Sequence, residues 1–200
     1  MIRLGRVRVR VSCGGTVKMV YLMLTCRVLL AGVFATALVG KVRGRAALDE
    51  FVASIVALGV LPRPVSVVAA YAVLTAEAAV ILLLALPSAL FLGFAAATVL
   101  LAVLTAGISA AMRRGRRAPC RCFGASATPL GRTHVVRNLI LMAVGCIGLA
   151  AEVAARTTPA GSAAHPAGVA LAVATAAVGV LLVVRLDDLT SLFTASVSPR

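Results

Sequence analysis

The apolar positions of this chain fall into five long blocks separated by short polar breaks, and the block lengths suggest its architecture. Val20 to Val42, Val65 to Leu86, Ala89 to Met112, His134 to Val153 and Ala167 to Val184 are the five blocks. Each is about long enough, at 1.5 Å per residue, to cross a hydrocarbon layer of roughly 30 Å. Pro62-Arg63-Pro64, Pro87-Ser88, the run after Met112 and the stretch from Arg156 to Pro166 interrupt them. The interval 44–62 differs in kind. Asp49 and Glu50 open a pattern in which Phe51, Ile55, Leu58 and Leu61 recur near helical spacing, and its apolar part is too short to span comfortably. It predicts an interfacial or re-entrant amphipathic helix, with a tilted short span as the alternative. The expected fold class is therefore an all-α integral membrane protein, a bundle of about five transmembrane helices plus one short amphipathic helix. The expected organisation is a basic N-terminal tail (1–19), the bundle (20–155) with a polar loop at 113–133, a linker with an additional C-terminal helix (156–186), and a polar tail (187–200).

Composition agrees with the pattern and removes one class of function. The 200 residues are 62% hydrophobic and 13% charged, with a mean hydropathy of +1.07, more apolar than a soluble core of this size can hide. The formal net charge of +14 is spread over arginines at block ends rather than along one basic face. That distribution sets topology and contacts anionic lipid, so the expected partner is the lipid bilayer of the cell membrane and not nucleic acid. Arg3, Arg6, Arg8, Arg10 and Lys18 precede the first block. No small-residue cleavage site follows that block, so an uncleaved tail leading into an anchored helix is expected, with Met19 as an alternative start. If 44–62 does not cross, the 113–133 loop lies opposite the N-terminus; if it does cross, both lie on one strongly basic side.

Few ionisable groups enter the blocks. Arg27 lies about two turns inside the first, near enough to an end to snorkel, and Lys41 sits at that block's exit. Glu77 is near the centre of its block. A carboxylate there costs a few kcal/mol on insertion scales, so it is protonated, paired or facing a polar cavity. A functional role and a packing role, with a neutral Glu77 hydrogen-bonded to a neighbouring helix, both remain open.

The strongest chemical signal is Pro119-Cys120-Arg121-Cys122-Phe123-Gly124, a polar break with two thiols. A disulfide between Cys120 and Cys122 closes a very small ring, which favours exchange over scaffolding. Arg113, Arg114, Arg116, Arg117 and Arg121 favour thiolate, the nucleophilic form. The same atoms with His134 make an alternative set for a soft metal, although no fourth ligand is near in sequence. His134 otherwise caps or orients its helix. Cys26 and Cys146 lie inside apolar blocks, where cysteine packs as a small hydrophobe; if they met, they would form a second redox pair.

The stretch Cys120-Arg121-Cys122-Phe123-Gly124, with Leu130-Gly131-Arg132 and Val136-Arg137-Asn138-Leu139, resembles the methylamine utilisation protein MauE family, a branch of the DoxX-like membrane proteins. Phe34 to Lys41, Phe51 and Glu77 are similar to the family as well, and the resemblance covers about Tyr21 to Glu152. It implies a role in maturing an exported redox enzyme such as methylamine dehydrogenase, whose small subunit is rich in disulfides. A thioredoxin-like redox protein is the implied partner and the exported enzyme the implied client. Cys120 and Cys122 would be the exchanging pair. Arg121, Phe123, Gly124, Glu77, Arg137 and Asn138 would support them. No metal is expected; a quinone between helices is a candidate electron acceptor that no residue demands. The alternatives are a metal-binding or small-solute membrane protein with Glu77, Arg27 and Lys41 along a pathway, and an assembly factor whose cysteines are incidental.

Overall fold

The computed structural model describes residues 13–115, 132–157 and 165–185. Their elements are α1 (Cys13–Val42), α2 (Arg45–Ala57), α3 (Arg63–Ala85), a single 3-10 turn (Pro87–Ala89), α4 (Leu90–Arg113), α5 (Arg132–Thr157) and α6 (Pro166–Val184). There is no strand among the described residues. Five of the helices are long and apolar enough to cross a membrane, and α2 is not among them. The all-α membrane architecture expected from the apolar blocks is the one observed.

Local chemistry explains the boundaries. Pro64 and Pro166 sit in the first turns of α3 and α6, where a missing N–H costs nothing. The His165 side chain accepts a hydrogen bond from the Ala167 N–H at 3.3 Å, capping α6. Gly59 and Gly115 close α2 and α4 with φ of 60° and 68°, a region that penalises any side chain.

Helices α1, α3, α4 and α5 form the bundle, with α3 and α5 each packed between α1 and α4. Its core holds Leu30, Phe34, Val80, Leu84, Phe94, Leu101 and Leu141. Gly145 of α5 meets Thr98 of α4 and Leu30 of α1, and Gly148 meets Phe94, so α5 runs antiparallel to α4 with little separation. Helix α6 lies outside this ring against α1, with Gly179 on Leu29 and Gly32 under Val180. Phe94 is fully buried and cannot retreat from an added methyl group. Gly148→Ala is expected to cost about 1–3 kcal/mol, read as earlier unfolding in a detergent titration. Gly107→Ala, where a Cβ meets nothing within 4 Å, serves as the unaffected control.

Direction follows from these contacts. The beginning of α1, the Pro87–Ala89 turn and the beginning of α6 share one end, where the His165 N–H donates to the Tyr21 hydroxyl at 2.9 Å. Arg27 reaches that end too. It donates from Nε to the Leu84 carbonyl at 2.6 Å and from Nη2 to the Ala85 carbonyl at 2.7 Å. Those carbonyls close α3 and lack helical partners, so a cation there satisfies them and complements the helix dipole. The opposite end gathers the exit of α1, helix α2, the start of α3, the exit of α4 and the start of α5. Because α2 does not cross, the α4–α5 connection leaves from the end opposite the start of α1.

Candidate functional site

Helix α2 turns back from α1 and lays Phe51 against Ala70 and Leu74 of α3, forming a second, smaller core with Leu38 and Ile55 at its edge. This places the Phe51 ring 4.8 Å from the Lys41 ammonium, within cation–π range. Lys41 is 2% exposed, which its place at the end of an apolar block did not suggest. Its side chain turns into the bundle and donates to Glu77 Oε1 in a buried ion pair. Glu77 is equally buried, and its Oε2 has no hydrogen-bond partner among the described residues. Of the sequence options for Glu77, the paired one is therefore realised.

A second polar group lies at the start of α5. His134, Arg137 and Asn138 are all buried, and Arg137 Nη2 is 3.2 Å from His134 Nδ1. Register relates the two groups. From the level where Gly145 meets Leu30, Lys41 is about 16 Å along α1 and Arg137 about 12 Å along α5, toward the same end. Lys41, His134, Arg137 and Asn138 thus gather at the end from which the α4–α5 connection departs, and Lys41 reaches back from there to Glu77 near the middle of α3. Arg114 fastens that departure point: its Nη1 donates to the carbonyls of Gly59 at 2.9 Å and Val60 at 3.2 Å.

Cys120, Arg121, Cys122, Phe123 and Gly124 lie outside the described residues. Arg137 and Asn138 are buried at the loop-bearing end of the bundle and Glu77 near the middle of α3, while Arg27 is at the opposite end. Cys26 is buried and Cys146 exposed, and both thiols are free. No disulfide joins them. Among the described residues, no three His, Cys, Asp or Glu side chains are grouped to hold a metal ion.

Lys41 is the site residue whose role sequence reasoning missed. The available signal was Glu77 itself: a mid-block carboxylate needs a counter-charge, and only Arg27 and Lys41 on the first block offered one. Ser54 and Ser66, buried at the same end, carried no such signal.

No curated protein and no solved structure matches this chain. The family model for methylamine utilisation protein MauE matches residues 19–151, a span that takes in most of α1, all of α2 to α4, the cysteine-bearing connection and most of α5. A multi-pass helical membrane protein with this match belongs to the MauE family.

Proposed function

We propose that this MauE-family membrane protein carries out thiol–disulfide exchange at Cys120 and Cys122 in support of the maturation of an exported redox enzyme, of which methylamine dehydrogenase is the type the family suggests. The observation that carries the reading is the placement of the α4–α5 connection. It contains the chain's one closely spaced cysteine pair, follows Arg113 and Arg114, and leaves the bundle at its polar end. Cationic surroundings favour thiolate, and water-accessible loops between spans are where a thiolate meets a partner.

The exchange balances without a cofactor. A client thiolate attacks one sulfur of the Cys120–Cys122 disulfide, forming a mixed disulfide and releasing the other cysteine as thiolate. A second client thiolate then attacks the client sulfur of that bond, leaving the client oxidised and the pair as a dithiol. A thioredoxin-like partner in its disulfide form takes the two electrons and two protons back by the same steps. Such a cycle on exported clients requires the connection to face the oxidising side of the membrane.

The test is labelling of intact cells with a membrane-impermeant thiol reagent, with and without prior reduction, read by mass at Cys120 and Cys122. Modification that needs prior reduction but not permeabilisation is the expected result. Modification without reduction, or only after permeabilisation, overturns the reading.

A further inference from the structure

A cavity of about 130 Å³ lies between α2, α3 and α4. Ser54 and Ile55 line it from α2, Ser66 and Val73 from α3, and Val103 and Gly107 from α4. Leu61 and Val103, both exposed, form part of its wall, so its mouth opens on the apolar surface of the protein and a ligand enters from lipid. An apolar cavity of about 150 Å³ holds one benzene, which sizes this one for a single small ring. No charged side chain lines it, so the ligand is neutral.

The polar atoms of the cavity decide the rest. Ser54 is 8% exposed and Ser66 1%. The Ser54 hydroxyl donates to the Phe51 carbonyl at 2.6 Å, and the Ser66 hydroxyl donates to the Leu61 carbonyl at 3.1 Å. Each serine has one hydrogen to give, and both are committed to backbone. What the two oxygens have left is acceptor capacity alone. A ligand that bears only carbonyl or ether oxygen cannot use that capacity, and a ligand with a hydroxyl donates into it.

We propose that this cavity binds the hydroxylated ring of a lipid-soluble phenol or hydroquinone, its hydroxyl donating to the oxygen of Ser54 or of Ser66. Val60, which also lines the cavity, accepts from Arg114 at the end of α4. The site is therefore latched to the point where the cysteine-bearing connection begins. Hydroquinones are the reduced members of a two-electron, two-proton couple, and a link from this site to thiol oxidation rests on the function proposed above. Binding itself does not rest on it.

The experiment uses the full chain in lipid nanodiscs under anaerobic conditions, with decylhydroquinone as the probe, titrated calorimetrically. Its dimethyl ether, decylquinone and decan-1-ol are the comparisons. The hydroquinone is expected to bind saturably and at least about tenfold more tightly than the other three, the value of one net hydrogen bond. Ser54→Ala with Ser66→Ala is expected to erase that preference. Gly107→Leu, placed where a Cβ meets no atom within 4 Å, is expected to fill the cavity and abolish binding with helicity intact. Equal binding of the ether or the quinone, decan-1-ol binding as tightly, undiminished binding in the Gly107→Leu protein, or no saturable binding at all overturns the proposal. Repeating the titration with Cys120→Ser and Cys122→Ser separates it from the thiol reading, because binding is expected to persist there.

Discussion

Glu77→Leu is expected to destabilise the folded chain by about 3–5 kcal/mol, while Lys41→Met combined with Glu77→Leu recovers most of that loss. The single change leaves the Lys41 ammonium buried with no counter-charge, and an uncompensated buried charge is among the costliest defects a fold can carry. The phenyl ring of Phe51 at 4.8 Å offsets a small part, since a cation–π contact is worth about 0.5–2 kcal/mol. Removing both charges leaves two apolar side chains of similar volume, an exchange that is often neutral or stabilising. The alternative account, in which the pair is ordinary interhelical glue, predicts a smaller effect: neutral polar contacts between membrane helices average about 0.6 kcal/mol. Unfolding free energies of the wild type, both single variants and the double variant give the coupling energy directly. Single variants that lose less than about 1 kcal/mol, or a double variant no better than either, would contradict a charged pair.

The contrast between Glu77 and Lys41 shows what could be read along this chain. Every lipid-facing turn of a spanning helix is apolar, so α1, α3, α4, α5 and α6 announce themselves by length, and the 3.6-residue pattern around Phe51 marks α2 as the exception. Glu77 is legible for the same reason: a carboxylate in such a block needs an explanation. Its partner, 36 residues away, is not legible, because Lys41 at a block end has an equally good home among head groups and only the turn into α2 brings Phe51 over it. Helix order is hidden too. Gly32, Gly145, Gly148 and Gly179 all permit close approach, but an apolar helix offers lipid and neighbour the same side chains, so nothing along the chain assigns α6 to α1 or α5 to α4. The cysteine pair is legible as chemistry, while its geometry falls outside the described residues.

Replacing either Cys120 or Cys122 with serine is expected to return client disulfide formation to the uncatalysed rate, minutes to hours. The two single variants are expected to differ in what they accumulate. A cycle of exchange needs one cysteine to attack and the other to resolve the mixed disulfide. Serine at the resolving position stops the reaction after the first bond, so that variant traps a covalent adduct with the thioredoxin-like partner, separable on a non-reducing gel. Serine at the attacking position forms no adduct. The pattern assigns the roles, which depend on access and on the order of thiol acidities. Arg121→Ala, which keeps both sulfurs and removes the cation between them, is expected to slow exchange most at low pH, where the thiolate fraction is smallest. With that nearest cation removed, a higher pH is required to reach the same fraction, so the rate recovers as pH rises. An assembly factor with incidental cysteines behaves otherwise: the chain with both serines still matures its client, no adduct forms, and the Arg121→Ala protein shows no dependence on pH beyond that of the wild type.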